Sequence, residues 1–187
     1  MSITYEIVKD EDIECCRELC NNLMKFQQSK AHYRPELFDT MNFDTRMVPS
    51  VKNAKHNYTV VAKDGDQPVA YVYSNVSAKE NYDNDFATFF DVSSVKNEYV
   101  GCLSNFYIEE GYRDRGIGTV LFNKSLNWLK DFPEVEDYFV FVSNGNAQAL
   151  EFYKRKGFAY SNEVLDGFIT TLRSSKQVLN RSVSISK

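Results

Sequence analysis

The sequence reads Arg113-Asp114-Arg115-Gly116-Ile117-Gly118 at a point where a strand is expected to pass into a helix. Upstream, residues 100–108 are apolar or small, and downstream, residues 119–132 have helical spacing without Gly or Pro. A turn at this place aims several backbone N–H groups and the positive end of a helix dipole at one point. Because glycine has no side chain, a phosphate can approach this backbone closely. The stretch therefore predicts an anion site.

Two common phosphate-binding motifs do not fit this stretch. Gly111 and Gly116 have the spacing of a Walker loop, but Ile117 stands where that loop has its lysine, so the contact to the β- and γ-phosphates is missing. The dinucleotide fingerprint requires a third glycine where this chain has Leu121. Nucleotide hydrolysis and dinucleotide binding are thus disfavoured, and the pattern that remains is R-x-x-G-x-G at the mouth of a helix.

A second stretch, residues 144–158, reads NGNAQALEFYKRKGF and predicts another helix. Ser143 or Asn144 is expected to cap its start. Asn146 and Tyr153 are seven residues apart, so their side chains lie on one face of the helix, two turns from each other. The amide and the phenol are therefore expected to face the same site.

Together the two stretches resemble the GNAT superfamily of N-acetyltransferases, which bind acetyl-CoA at such a turn. In that family the later helix carries an Asn toward the pantetheine arm and a Tyr toward the thiolate leaving group. Both residue types occur here at the family's spacing and end in Tyr-x-x-x-Gly-Phe. The resemblance covers nearly the whole chain, with its specific motifs in residues 106–158. It implies an α/β (α+β) fold with a central, mostly antiparallel, splayed sheet of six or seven strands and helices on both faces.

The resemblance also implies the roles of individual residues. The end of the fourth strand would pair with the pantetheine arm, the N–H of Ile108 would polarise the thioester carbonyl, and Tyr153 would stabilise or protonate the thiolate. Simple alternatives stay open: Tyr153 as a packing residue, Asn146 as a helix cap, and the two arginines as surface charges. The implied cofactor-binding residues are Phe106, Tyr107, Ile108, Arg113, Asp114, Arg115, Gly116, Ile117, Gly118, Thr119 and Asn146, and the catalytic candidates are Tyr153 and Glu109.

The general base is the missing part of this pattern. Some family members place a Glu or His on the early half of the fourth strand, where this chain has Cys102 and Ser104. Glu109 and Glu110 follow the strand, and since neighbouring strand residues point to opposite faces, at most one of them faces the site. A solvated carboxylate without a catalytic role, and a water chain that removes the ammonium proton, are the alternatives.

Composition narrows the class of protein. With 187 residues and 43% hydrophobic side chains, we expect one domain over residues 1–173, followed by a polar, Ser-rich tail over 174–187. There is no apolar run of about 18 residues and no signal region, so a cytoplasmic protein without membrane contact is expected. The net charge of −4 argues against nucleic-acid binding. The four cysteines and two histidines follow no metal or disulfide pattern, so reduced thiols and no metal are expected.

Periodicity predicts the remaining elements in order. Asp10 is expected to cap a helix, and residues 34–46 are expected to hold a shorter one before a loop over 47–56. The helix after Asp10 has one apolar face, made by Ile13, Cys16, Cys20 and Leu23. Further strands are expected at residues 3–8, 58–63, 69–76, 138–142, 158–161 and 167–172.

Residues 77–98 are unusual because a β-hairpin rarely needs about twenty residues to turn. One interpretation is a surface excursion that its aromatic side chains hold to the body. The other is a wall of the acceptor site, in which aromatic rings and carboxylates would suit a cationic amine. The segment holds Asp83, Asp85 and Asp91 among Tyr82, Phe86, Phe89 and Phe90.

The sequence thus predicts transfer of an acetyl group from acetyl-CoA to a primary amine of a small molecule, peptide or protein. The acidic net charge favours a small cationic acceptor, such as a polyamine or an amino sugar. The alternative is a module of this family that binds CoA as a sensor or scaffold without turnover. A homodimer is compatible with the exposed edge strands of such a sheet.

Overall fold

A seven-stranded mixed sheet organises the chain, of which the computed structural model describes residues 2–184. Its order is β1-β2-β3-β4-β5-β7-β6, and every neighbouring pair is antiparallel except β4 and β5. The predicted sheet is therefore confirmed. The strands are β1 (Ile3–Val8), β2 (His56–Asp64), β3 (Gln67–Ala78), β4 (Tyr99–Ile108), β5 (Val135–Ser143), β6 (Ala159–Val164) and β7 (Ile169–Ser175).

Helices cover both faces of the sheet. The described part of the chain has five: α1 (Arg17–Lys30), α2 (Val48–Asn53), α3 (Ile117–Lys130), α4 (Ala147–Arg155) and α5 (Lys176–Ser184). On the first face α1 and α2 pack against strand side chains such as Tyr71 and Phe139. On the second face α3, α4 and α5 pack against the alternate residues, such as Val72 and Val140. None of the helices within residues 2–184 is long and apolar enough to cross a bilayer.

The sheet opens between its two parallel strands. β4 and β5 pair only within residues 99–102 of β4, and residues 103–108, all of them described, have no partner in β5. β5 continues instead along β7 as far as Ser143. A bulge at Ser104, which the register of β3 skips, falls where the opening begins. The predicted splay is confirmed, and it leaves one edge of β4 free for a ligand.

Several local predictions were wrong at element boundaries. Asp10 is not a cap, because the chain enters a 3-10 turn (Asp10–Cys16) whose cap position is Lys9. The expected loop at 47–56 is largely α2, in which Pro49 occupies the first turn, where its missing N–H costs nothing. The short helix expected within 34–46 is a 3-10 turn (Pro35–Phe38) and a π-helical turn (Phe43–Met47).

The expected polar tail is also different in the structure. Residues 174 and 175 belong to β7, and Lys176–Ser184 forms α5. Leu179 is only 1% exposed and packs in the second core, so this apolar side chain anchors the helix. Residues 185–187 of the expected tail lie outside the described residues, and the single-domain division of the chain stays a prediction.

Candidate active site

The turn at residues 113–118 leads into α3, and the first backbone amides of this helix have no hydrogen-bond partner within it. The first intrahelical bond runs from the Val120 N–H to the Gly116 carbonyl at 3.3 Å, and no described side chain caps the turn. The amides of residues 117–119 therefore lack helical partners. Positive φ values at Asp114 (60°) and Gly116 (80°) curve the backbone before them. Open amides at a helix start favour a bound anion.

The two glycines of the turn serve different purposes. A Cβ built on Gly116 would meet no atom within 4 Å, so this residue is needed for its left-handed backbone and leaves open space in front of the amides. A Cβ on Gly118 would lie 3.3 Å from Cδ1 of Ile108. Gly118 therefore also allows α3 to pack closely on the end of β4.

A pocket of about 320 Å³ connects this turn with the opening of the sheet. Its walls come from α1, the end of β4, the turn before α3 and one face of α4. Tyr107 belongs to the first face and Phe106 to the second, so the pocket passes through the gap beside β4. The expected residues that line it are Phe106, Tyr107, Ile108, Arg113, Asp114, Gly116, Gly118, Thr119, Asn146 and Tyr153. Sequence reasoning missed Leu23, Phe26, Gln148, Ala149 and Phe152.

Three expected residues lie outside the lining of this pocket. Arg115 lies over the Tyr112 ring, 5.1 Å from its centroid. Ile117 is 2% exposed and packs in the second core, so it can offer the pocket its amide but not its side chain. The Glu109 carboxylate accepts hydrogen bonds from the Asn22 amide at 2.9 Å and from the Tyr107 hydroxyl at 3.3 Å. Glu109 therefore reaches the pocket only through Tyr107.

The end of β4 presents its backbone to the gap. The Glu109 N–H donates to the Val69 carbonyl of β3 at 2.9 Å, and since strand amides alternate in direction, the N–H and C=O of Ile108 point to the opposite, open side. The Ile108 carbonyl accepts from Nε of Arg113 at 3.0 Å, while the Arg113 guanidinium lies 4.5 Å from the Phe26 ring centroid. Arg113 is thus held at the pocket wall between β4 and α1.

Helix α4 brings Asn146, at its start, and Tyr153, near its end, to the other wall. Asn146 is the cap of the helix, accepting from the Ala149 N–H at 3.3 Å, so the prediction of Ser143 or Asn144 as cap was wrong. Asn146 lines the pocket as well. Tyr153 is 6% exposed, and burial raises the pKa of its phenol well above the usual range. The hydroxyl therefore stays protonated and is a hydrogen-bond donor at neutral pH.

Asn144 and Gly145 hold this wall to α1, which the sequence analysis did not foresee. The Asn144 side chain accepts from the His32 and Tyr33 amides at 2.9 and 3.0 Å. It also donates to the carbonyls of Tyr33 and Phe168. Gly145 has φ 81°, and a Cβ there would lie 1.8 Å from the Lys30 carbonyl oxygen. The Asn-Gly pair is a turn signal, but nothing in the sequence pairs it with the end of α1.

Gly145→Ala is expected to destabilise the fold by about 2–5 kcal/mol, because alanine is strained at this φ and its methyl overlaps a backbone oxygen. Urea unfolding measures the change. Gly65→Ala is the matched control: Gly65 has φ 62° but nothing within 4 Å of a Cβ, so it should cost only about 1–2 kcal/mol. Equal losses in the two variants would contradict a tight contact between Gly145 and α1.

A second pocket of about 250 Å³ lies on the first face and shares Leu23 with the first pocket. Its walls include α1, the π-helical turn, the middle of β4, the end of β5, and part of the segment 77–98. The aromatic side chains of that segment have two kinds of contact. The Phe90 ring stacks on the Phe139 ring, which holds the segment to the body, with the ring centroids 3.9 Å apart. Tyr82, Phe86 and Phe89 line the second pocket.

The carboxylates Asp83, Asp85 and Asp91 of the segment 77–98 do not line this pocket. Asp83 accepts from the Thr88 hydroxyl at 2.6 Å, and Asp91 accepts from the Ser93 amide at 3.0 Å. These short side chains stabilise turns inside the segment. Asp85 is exposed and does not line the pocket either.

Cys102 does not qualify as the general base. It is buried in β4, and burial raises the pKa of its thiol to about 12. The group is therefore a neutral thiol at physiological pH. All four cysteines are free thiols, and within residues 2–184 no group of three or more His, Cys, Asp or Glu side chains is arranged to hold a metal ion.

The chain belongs to the acetyltransferase (GNAT) family, whose model matches residues 19–158. An uncharacterized N-acetyltransferase of Methanocaldococcus jannaschii is 31% identical over 83 residues, 44% of this chain and 35% of that protein. A probable N-acetyltransferase of Drosophila melanogaster, named san, is 39% identical over 59 residues, 32% of this chain and 29% of that protein. The matches thus span about a third of each relative.

Among solved structures, the PaiA N-acetyltransferase of Thermoplasma acidophilum in complex with coenzyme A has the same fold. The TM-score is 0.66, with 15% identity over 94% of this chain and 99% of that chain. At this identity the likeness concerns the fold alone.

Proposed function

We propose that this protein transfers an acetyl group from acetyl-CoA to a primary amine. The supporting observation is the continuous pocket that joins the open amides of α3 to the free edge of β4. It suits a ligand with an anionic pyrophosphate at one end and a thin arm that can hydrogen-bond an extended strand. Family membership supports the same reaction. The test is whether an amine makes the protein release free thiol from acetyl-CoA.

In this proposal the pocket walls place the thioester next to two donors. The Ile108 N–H polarises the carbonyl oxygen, whose negative charge grows as the amine nitrogen attacks the carbonyl carbon. The carbon–sulfur bond then breaks, and the Tyr153 hydroxyl donates a hydrogen bond to the departing thiolate. An aliphatic thiol has a pKa of about 8.5, far below that of the buried Tyr153 phenol. Tyr153 therefore stabilises the thiolate, which takes its proton from the attacking nitrogen.

The amine must lose a proton before it attacks, and Tyr107 with Glu109 offers a route. The ammonium passes a proton to the Tyr107 oxygen while the Tyr107 hydroxyl passes its own to the Glu109 carboxylate, along the 3.3 Å hydrogen bond between them. Burial and the charge of Glu109 raise the pKa of Tyr107, so the phenol starts the step protonated. The amide of Asn22 holds the carboxylate in place. Glu109 thus acts through Tyr107.

Glu109→Gln should lower kcat/KM about 10²-fold near neutral pH, because glutamine keeps the size of the side chain but accepts no proton. The deficit should shrink as the pH approaches the pKa of the acceptor amine, since more amine then arrives neutral. A pH–rate profile of both proteins measures this. Glu110→Gln, one residue further along and exposed, is the matched control and should keep wild-type rates. A deficit of equal size at every pH would show that Glu109 has a structural role only.

Two further expectations stay predictions. The sheet ends in β1 and β6, whose exposed apolar side chains include Ile7 and Tyr160, so pairing into a homodimer through a sheet edge is compatible with the fold. The second expectation is a cytoplasmic location.

A further inference from the structure

The lining of the second pocket includes a positively charged side chain and no negatively charged one. Among the described residues that line it, Arg46 is the sole formally charged side chain, and no Asp, Glu or Lys takes part. Its other polar groups are amides and hydroxyls. A pocket of this charge attracts an anionic group and disfavours a second cation.

Arg46 has no carboxylate partner within residues 2–184. Arg17, which also lies on the first face, is paired with Glu14 and Asp44. The partner recorded for Arg46 is the Phe86 ring, 5.8 Å from its guanidinium carbon. The residue as a whole is exposed, yet its surroundings desolvate the guanidinium enough to lower its pKa. An arginine without a carboxylate partner can bind an anion through two of its planar donors.

Ser143 gives an independent sign that the pocket receives a polar ligand. It is the last residue of β5, is 7% exposed, and lines the same pocket. Its Oγ has no hydrogen-bond partner among the described residues. Buried hydroxyls nearly always have a hydrogen-bond partner, so the Ser143 hydroxyl is available to hydrogen-bond a polar group of the ligand.

Besides these amides and hydroxyls the wall carries several aromatic side chains, and the space is small. A cavity of about 250 Å³ is below the roughly 300–1,000 Å³ of pockets for drug-sized ligands. An acceptor with an apolar or aromatic body of amino-acid size suits such a wall. The aromatic side chains of the wall are Phe38, Tyr82, Phe86, Phe89, Phe141 and Phe168.

We propose that the second pocket binds a small acceptor amine that also carries an anionic group, with Arg46 binding the anion and the aromatic wall holding the body. The amine then points toward Leu23, the residue that lines both pockets. This inference rests on the proposed acetyl transfer and names its substrate class. It replaces the cationic acceptor that net charge favours.

The test uses the full chain, acetyl-CoA and pairs of amines that differ in one anionic group. Carboxylate pairs are phenylalanine with phenethylamine and tyrosine with tyramine, and the phosphate pair is phosphoethanolamine with ethanolamine. The anionic member of the carboxylate or the phosphate pairs should have a kcat/KM at least about 10-fold higher. Whichever pairs show the preference identify the anion as carboxylate or phosphate.

Arg46→Gln should lower kcat/KM for the preferred anionic amine by about 10–100-fold and for its counterpart without the anionic group by less than about 3-fold. Arg34→Gln is the matched control, because Arg34 pairs with Glu36 outside both pockets, and it should change neither. Ser143→Ala should lower kcat/KM for the anionic amine by about 3–10-fold without lowering the unfolding midpoint, since the hydroxyl has no partner to lose.

Equal use of both members of every pair, or an unchanged preference in Arg46→Gln, would overturn the anion site while acetyl transfer still stands. Turnover of no anionic amine would overturn it as well. In that case thiol release with polyamines, amino sugars or peptides decides separately whether the proposed function fails too.

Discussion

Tyr153→Phe is expected to lower kcat by roughly 10²-fold with acetyl-CoA affinity almost unchanged. The hydroxyl stabilises negative charge that develops on sulfur only as the carbon–sulfur bond breaks. Its removal therefore raises the free energy of the transition state but not that of the bound thioester. The ring packs among Phe122, Phe152 and Phe158, and phenylalanine preserves those contacts. Steady-state rates and acetyl-CoA titration by calorimetry measure the two quantities.

Tyr138→Phe is the control for removing a buried tyrosine hydroxyl. Tyr138 is buried in β5 outside both pockets, and its hydroxyl has no partner among the described residues. The variant should keep wild-type kcat and fold at least as stably. If Tyr153→Phe kept the wild-type rate too, Tyr153 would be a packing residue.

Gly116→Val is expected to weaken acetyl-CoA binding by at least about 10²-fold. The β-branched side chain would occupy the open space in front of the α3 amides, and valine is strained at a φ of 80°. The loss would follow from blocked access to about three backbone donors, each worth about 1.5–3 kcal/mol to a charged group. Calorimetry or fluorescence titration measures the affinity, and circular dichroism checks that the fold persists.

Gly65→Val is the control that separates blocked access to the α3 amides from backbone strain as the cause of lost affinity. Gly65 has φ 62° and open space around it, like Gly116, but it lies in the β2–β3 turn away from both pockets. Both variants should lose similar stability, and Gly116→Val alone should lose affinity. Undiminished binding in Gly116→Val would remove the turn from the acetyl-CoA site.

Local patterns were enough to predict the strands, α3 and α4, and the family resemblance implied most of the residues around the first pocket. The turn at 113–118 and the helix at 144–158 each carry their information within about fifteen residues, as spacing and glycine positions. Their meeting across the sheet follows from the family fold. The observed start of an element differs from the predicted one where a single residue determines it, as with α4, which is capped by Asn146.

Contacts between distant segments were not visible in the sequence. Asn144 and Gly145 meet the end of α1 more than a hundred residues earlier in the chain. Arg46 and Ser143 come together only in the folded second pocket. The expected cationic acceptor came from the net charge and from the rings and carboxylates of the segment 77–98, whereas the charge inside the second pocket depends on one arginine.

The most direct test is release of CoA thiol from acetyl-CoA by the purified protein across a panel of amines, with mass spectrometry of the acceptor. The panel includes amino acids, their decarboxylated counterparts, polyamines, amino sugars and short peptides. We expect at least one amine to raise thiol release well above hydrolysis and to gain one acetyl group on nitrogen. Binding of acetyl-CoA without release by any amine would contradict the account and favour a CoA-binding sensor or scaffold.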